Sequence, residues 1–173
     1  LETKLNILKV SKVLKEIINE GDRCLLVSEN RPEWFIFDLA IILSGGITVP
    51  AYTTYTEEDY KYLIEDCEPA VIIVSNNELF KKLNRTINKK NFIKKIITFD
   101  KLDNVLNNLD INDKEKYFDF DLITKNNLKE EYKIENLNLK RSSPACIIYT
   151  SGTGGNPKGV ILSHGGILNN LVG

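Results

Sequence analysis

Short apolar runs alternate with helix-like segments through the first hundred residues, and this alternation limits the fold more than any other feature. Four runs have the composition of buried strands, at 24–27, 47–49, 71–74 and 96–99. The third, Val71–Val74, is continuously β-branched, as is typical of strands covered on both faces. The intervening segments have helical spacing and exceed the dozen or so residues that a crossover between parallel strands needs. The sequence therefore predicts an α/β fold whose mainly parallel sheet carries helices on both faces.

Local signals indicate where several helices begin and end. Pro32 suits the first turn of a helix, and Gly45–Gly46 suits its end. The segments Thr56–Asp59 and Ser75–Glu78 both have the spacing of a capping box. The helix that starts near Pro32 is apolar on nearly all sides, so we expect it to be mostly buried. We also expect Trp34 to be largely buried between this helix and the sheet.

Charge and cysteine content exclude several classes of protein. The 173 residues include 23 Lys and Arg against 24 Asp and Glu, for a net charge of −1. Nucleic-acid binding needs a basic surplus, so no nucleic-acid partner is expected. The sequence lacks the run of about 18 apolar residues that a transmembrane helix requires. Cys24, Cys67 and Cys146 are too few and too far apart for a disulfide framework or a zinc site, and we expect buried thiols.

Composition divides the chain into three parts within one domain. Residues 1–99 carry the alternating pattern, and residues 100–143 form a polar connecting segment. We expect one or two short helices in that segment, followed by a connector over 126–143. Residues 144–173 contain a strand, a glycine-rich loop, a second strand and the start of a helix. Because the chain starts at Leu1 rather than Met, we expect a piece of a longer protein.

The loop Thr150–Gly159 carries the strongest chemical signal. It joins the apolar runs Pro144–Tyr149 and Val160–Leu162, and Ser163 is suited to cap a helix from His164. We expect the five main strands to centre near Leu26, Val49, Ile73, Ile97 and Ile148. Glycines let successive backbone N–H groups converge on one point, and hydroxyls add further donors. With the charge of the lysine at 158, the loop suits a polyphosphate.

Two common phosphate-binding patterns do not match this loop. A Walker A sequence requires Gly-Lys followed by Ser or Thr, but Lys158 lies between Pro157 and Gly159. A dinucleotide-binding pattern that starts at Gly152 needs glycine where Pro157 stands. The loop is therefore a phosphate-binding loop of another kind, and the alternative is a flexible surface loop that binds no ligand.

The segment Tyr149–Gly159, with the sequence YTSGTGGNPKG, resembles the signature loop of the adenylate-forming enzymes. These include acyl-CoA synthetases, luciferases and the adenylation domains of peptide synthetases. The segments Asn30–Trp34, Val49–Tyr52 and Thr56–Asp66 resemble the long-chain fatty-acid–CoA ligase branch of that superfamily. The resemblance implies that residues 1–173 are part of an N-terminal AMP-binding domain.

The resemblance also implies a reaction and a set of binding residues. Family members activate a carboxylate with ATP and Mg²⁺ as an acyl-adenylate, releasing pyrophosphate, and transfer the acyl group to CoA. The phosphate-binding positions would be Thr150, Ser151, Gly152, Thr153, Gly154, Gly155 and Lys158. Relatives usually have Thr or Ser where Gly154 stands, so one hydroxyl is missing. The family's catalytic and metal-binding residues lie downstream of this loop, so no catalytic residue and no metal ligand is assigned. We expect the chain alone to be inactive.

Two other functions stay open. An amino-acid-activating or aryl-acid-activating domain would have the same loop, and a non-catalytic nucleotide-binding or scaffold module would keep the loop without the reaction. For the ligase, the resemblance implies fatty acid, ATP and CoA as substrates. We expect a cytoplasmic location, and peripheral association with the inner face of a membrane through the parent protein stays open. We expect His164 to pack locally at the start of its helix.

Overall fold

The computed structural model describes residues 2–87, 90–101, 116–125, 139–151 and 156–172. Within these ranges the strands are β1 (Arg23–Val27), β2 (Ile47–Ala51), β3 (Val71–Val74), β4 (Lys95–Thr98), β5 (Tyr117–Asp119), β6 (Pro144–Thr150) and β7 (Lys158–Ser163). The helices are α1 (Glu2–Ile17), α2 (Pro32–Leu43), α3 (Glu57–Cys67), α4 (Asn77–Ile87), α5 (Phe120–Lys125) and α6 (His164–Val172).

The described strands form one sheet in the order β5-β4-β3-β1-β2-β6-β7. Every neighbouring pair is parallel except β6 and β7, which form an antiparallel hairpin. All five predicted strand centres lie in strands, and the prediction of a mainly parallel sheet is confirmed. The short strand β5 was not predicted, because its three residues lie in the polar segment and depend on pairing with β4.

Two apolar layers cover the sheet, one on each face. Along β1, Leu25 and Val27 point to the layer formed with α3 and α4. Cys24 and Leu26 point to the opposite layer, formed with α1 and α2. The side chains of a strand alternate between faces, so a strand between two helical layers must be apolar throughout. This arrangement explains why the sequence runs are continuous and confirms helices on both faces.

Of the helix boundaries predicted between Pro32 and Glu78, three agree with the structure and one does not. Helix α2 begins at Pro32, and Gly45, with φ of +80°, follows its end. Thr56 and Asp59 form the predicted capping box at the start of α3. The prediction for Ser75 is wrong, because Asn76 Oδ1 accepts the N–H groups of the first turn of α4. The hydroxyl of Ser75 instead donates a hydrogen bond to Glu29.

Helix α2 is mostly buried, as predicted, but part of its surface stays open. Its buried residues are Ile36, Phe37, Ala40 and Ile41, whereas Phe35 is 52% exposed. A helix that lies on a sheet and against one other helix still leaves part of its circumference open. Trp34 packs against the apolar layer formed with α1 and α2, as predicted, but it is not fully enclosed. It stands in the first turn of α2, beside a pocket at the edge of the sheet.

The described parts of the polar segment contain one short helix, α5, as predicted. Ile123 of α5 is buried in the layer beside α1 and α2. Residues 102–115 and 126–138 lie outside the described residues, as does most of the expected connector.

All three cysteines are free thiols; Cys24 and Cys67 are buried as expected, but Cys146 is only partly buried. Cys146 lies on β6, where the helical layers cover the sheet incompletely. Among the described helices, none has the length and apolar character needed to cross a membrane.

Candidate functional site

The hairpin of β6 and β7 brings the two ends of the predicted phosphate loop together. Thr150 and Lys158 are directly paired across the antiparallel ladder. Paired residues point to the same face with their Cβ atoms about 5 Å apart. The hydroxyl and the ammonium group therefore extend from one side of the hairpin, and both residues are exposed. Within the described part of the chain, no carboxylate lies within salt-bridge distance of Lys158.

Three of the seven predicted binding residues belong to the described part of the chain: Thr150, Ser151 and Lys158. The other four, Gly152, Thr153, Gly154 and Gly155, lie outside the described residues. Strand β6 is parallel to β2, so Thr150 stands at the carboxyl ends of the parallel strands. Ligands of open α/β sheets bind at this edge, in the space beyond the strand ends.

Helix α3 contacts both ends of the loop. At the entry, the hydroxyl of Tyr149 donates a hydrogen bond to the carboxylate of Asp66. At the exit, the hydroxyl of Tyr62 donates to the carbonyl oxygen of Pro157 over 2.8 Å. Burial, with a smaller contribution from Asp66, raises the pKa of Tyr149. Tyr149 therefore keeps its proton and remains a hydrogen-bond donor at neutral pH.

Gly159 allows the ring of Tyr149 to lie close to the neighbouring strand. The two residues are paired across the ladder. A Cβ atom on Gly159 would lie 2.9 Å from Cγ2 of Ile147 and 3.2 Å from Cζ of Tyr149. A larger residue would press on the side chain of Ile147 and on the ring that reaches Asp66. The glycine at the end of the Pro-Lys-Gly sequence thus has a packing role that the sequence did not reveal.

A pocket of about 460 Å³ lies beside the hairpin, at the carboxyl ends of β1, β2 and β6. Its volume is within the range of small-molecule sites. Its wall combines backbone, hydroxyl, carboxylate and aromatic groups. The lining residues are Ser28, Glu29, Asn30, Trp34, Pro50, Ala51, Tyr52, Thr53, Tyr55, Ile148 and Tyr149. Because Ile148 and Tyr149 directly precede Thr150, the pocket lies next to the start of the loop.

Glu29 connects the ends of β1 and β3 at one side of this pocket. Its carboxylate accepts hydrogen bonds from Ser75 Oγ and, over 2.9 Å, from Asn76 Nδ2. The pKa of Glu29 lies below its ordinary value, mainly because the Ser75 hydroxyl donates a hydrogen bond to the ionised carboxylate. The ionised carboxylate is therefore engaged as an acceptor and is poorly suited to act as a base.

The described residues contain no group of three or more His, Cys, Asp or Glu side chains that could hold a metal ion. We therefore assign no magnesium ligand to this chain.

His164 is partly exposed at the start of α6, and its backbone N–H donates to the carbonyl of Ser143. The hydroxyl of Ser163 accepts the N–H of Gly166 over 3.1 Å, which confirms Ser163 as the helix cap.

The parallel sheet and its hairpin loop define an α/β domain with a candidate nucleotide site at the carboxyl ends of its strands. The family model described as AMP-binding enzyme matches residues 2–173, and the chain belongs to this family. The resemblance of the loop to the adenylate-forming enzymes is thereby confirmed.

Several curated relatives are fatty-acid–CoA ligases. The long-chain-fatty-acid–CoA ligase ACSBG2 of Xenopus laevis is 33% identical over 140 residues, which cover 80% of this chain and 18% of that protein. The long-chain acyl-CoA synthetase 3 of Arabidopsis thaliana is 28% identical over 173 residues, which cover 96% of this chain and 25% of that protein. The chain thus spans about a fifth of the length of the curated relatives it matches.

Solved structures of ligases share the fold. The anthranilate–CoA ligase AuaEII, solved with anthranoyl-AMP, matches with a TM-score of 0.75 and 21% identity, over 94% of this chain and 29% of that one. The acetoacetyl-CoA synthetase of Streptomyces lividans matches with a TM-score of 0.76 and 19% identity, over 98% of this chain and 26% of that one. At these identities the likeness establishes the architecture alone.

Proposed function

We propose that this chain supplies the phosphate-binding loop of an ATP-dependent ligase that converts a fatty acid into its CoA thioester. The observation that carries the proposal is the pairing of Thr150 with Lys158 at the base of the loop. This pairing puts a hydroxyl donor and a cation on one face, at the edge where α/β sheets bind ligands. Membership of the AMP-binding family supports a nucleotide as the ligand.

The proposed reaction has two steps. In the first, a carboxylate oxygen of the fatty acid attacks the α-phosphorus of ATP, the bond to the bridging oxygen of the β-phosphate breaks, and pyrophosphate leaves. In the second, the thiol sulfur of CoA attacks the acyl carbon, loses its proton, and AMP leaves. The nucleophile of the first step is already ionised at neutral pH, so that step requires no general base.

The residues of this chain act on the first step in the proposal. The hydroxyls of Thr150 and Ser151 and the ammonium group of Lys158 hold the β- and γ-phosphates. Negative charge builds up on the departing pyrophosphate, and fixed donors around it lower the barrier without having to reorganise. Mg²⁺ bound to the nucleotide would add further positive charge at the phosphates. The chain alone, which spans a fraction of its relatives' length, is proposed to be inactive.

A fatty acid is the proposed carboxylate because curated relatives are named as long-chain-fatty-acid–CoA ligases. The segment Asn30–Trp34 supports the same branch, and it borders the pocket beside the loop. An aryl acid or an amino acid is the competing substrate class.

The test is ATP–pyrophosphate exchange by the full-length polypeptide that contains this chain. Exchange is measured with a long-chain fatty acid, an aryl acid and an amino acid in parallel, and CoA-ester formation is followed by mass spectrometry. We expect ATP–pyrophosphate exchange that depends on the fatty acid, and we expect a fatty acyl-CoA as the product. Exchange with only the aryl acid or the amino acid would reject the fatty-acid substrate. Nucleotide binding without exchange would support a non-catalytic module.

A further inference from the structure

We infer that Tyr62 and Asp66 of α3 are positioning residues that fix the exit and the entry of the loop between β6 and β7. The inference rests on the proposed function, because it concerns the segment to which we assign phosphate binding. It adds two residues outside the loop sequence to the machinery of the proposed first step.

The first support is that the two contacts hold opposite ends of the same loop. Asp66 accepts a hydrogen bond from Tyr149, the residue before Thr150. Tyr62 donates to the carbonyl of Pro157, the residue before Lys158. Each anchored residue therefore immediately precedes a side chain that the proposal places on the phosphates.

The second support is that α3 is itself firmly held. Its first turn is closed by the capping box of Thr56 and Asp59. Its buried face, formed by Tyr60, Leu63, Ile64 and Cys67, packs in the apolar layer on the sheet. Tyr62 and Asp66 are four residues apart, so they are neighbours along one side of the helix. Both anchors thus come from one rigid element.

The third support is the geometry of the hairpin. Thr150 and Lys158 are paired in the ladder, so a shift at either end of the loop changes the position of both side chains relative to the sheet. Groups that stabilise a transition state must be held to within a fraction of an ångström, and a misplacement of about 1 Å can slow a reaction by about 100-fold. Side chains that fix the hairpin ends should therefore affect catalysis without touching the substrate.

Kinetics on the full-length polypeptide test the inference with matched variants. Tyr62→Phe removes the hydroxyl donor, and Asp66→Ala removes the acceptor. Tyr60→Phe is the control for the first, because Tyr60 lies on the same helix but donates to the carbonyl of Tyr52. Glu65→Ala is the control for the second, because its exposed carboxylate pairs with Lys90.

Both test variants are expected to lower kcat/KM for ATP in pyrophosphate exchange by about 5-fold or more, as for the loss of one hydrogen bond. The KM for the fatty acid, the Tm and the thioester step from preformed acyl-adenylate should stay close to wild type. The control variants should retain kcat/KM for ATP. Asp66→Asn keeps an oxygen acceptor, so it should restore most of the activity lost in Asp66→Ala. Equal losses in both half-reactions, or losses as large in the controls, would overturn the inference.

Hydrogen–deuterium exchange separates failure of this inference from failure of the proposed function. Peptides that contain residues 149–151 and 156–160 should exchange faster in Tyr62→Phe and Asp66→Ala than in wild type and in the controls. This measurement needs no catalysis, so it decides whether α3 holds the loop even in a protein that shows no pyrophosphate exchange. Unchanged exchange in these peptides would overturn the inference, whatever the substrate of the enzyme.

Discussion

The ring of Tyr149 lies next to Gly159 on the neighbouring strand, and its hydroxyl donates a hydrogen bond to Asp66 on α3. This contact joins three separate parts of the chain at the point where the loop leaves the sheet. The loop sequence alone does not indicate it, because Asp66 and Tyr149 are 83 residues apart.

Gly159→Ala is expected to disturb the loop base more than the loss of a glycine usually would. The added methyl group would lie 2.9 Å from Ile147 Cγ2 and 3.2 Å from Tyr149 Cζ, so these side chains or the strand must move. We expect a loss of about 1–3 kcal/mol in the free energy of unfolding, as for an overpacked site. Urea denaturation measures this loss. Gly166→Ala is a suitable control, because an added Cβ would lie 3.4 Å from its nearest neighbour, Ser163 Oγ. Equal stability of the two variants would contradict the prediction.

Phe37→Ala should destabilise the fold more than Trp34→Ala. Phe37 is fully buried, and its ring stacks on Phe99 with 5.3 Å between centroids. Removing it should cost about 3–5 kcal/mol. Trp34 is only partly buried beside the pocket, so its removal should cost about 2 kcal/mol. Urea denaturation of both variants checks the order, and a larger loss for Trp34→Ala would contradict it.

Asp38→Asn should stabilise the protein near neutral pH. Burial raises the pKa of Asp38 above its ordinary value of 3.8, and the Thr48 hydroxyl offsets only part of this effect. The folded state therefore binds the proton more tightly than the unfolded state, and stability falls as the pH rises through the raised pKa. The substitution removes that loss. Its stabilising effect, measured by urea denaturation, should be present at about pH 7 and shrink toward about pH 4. A destabilising effect at pH 7 would contradict this account.

Asp22→Asn should have the opposite dependence on pH. Partial burial disfavours the charge of Asp22, but the N–H of Asn19 and the ammonium group of Lys94, at 2.8 Å, outweigh it and lower the pKa. The ionised carboxylate then contributes stability above the ordinary value of 3.8, and this contribution is lost as the pH falls through the lowered pKa. Asp22→Asn should be less stable than wild type at about pH 7, with a difference that shrinks below about pH 4. A difference that grows on acidification would refute the role of the charge.

The sequence predicts the parallel sheet well, because strands such as β3 are continuous β-branched runs that the sheet buries on both faces. It predicts helix ends less reliably where two capping residues are adjacent. Ser75 and Asn76 can both cap a helix, and the choice depends on Glu29, which is 46 residues away from Ser75 and takes its hydroxyl.

Some residues of the candidate site were likewise predictable from the sequence, and others were not. Thr150, Ser151 and Lys158 were identifiable because the loop signal is concentrated in ten consecutive residues. The pairing of Thr150 with Lys158 follows from the antiparallel ladder, which the strand pattern did not specify. Tyr62 was missed because its partner, Pro157, is 95 residues away. The roles assigned to Gly152, Thr153, Gly154 and Gly155 remain predictions, since they lie outside the described residues.

In the proposed mechanism, the loop acts on the phosphates during the first half-reaction. Lys158→Ala in the full-length polypeptide tests it most directly, with Lys12→Ala as an exposed-lysine control on α1. Fatty-acid-dependent pyrophosphate exchange is measured beside CoA-ester formation from preformed acyl-adenylate. We expect Lys158→Ala to lower the rate of pyrophosphate exchange by about 100-fold or more and to raise the KM for ATP, because a charged group at the leaving phosphates is lost. The thioester step should stay close to wild type in both variants. Equal damage to both half-reactions, or exchange unaffected by Lys158→Ala, would contradict the assignment.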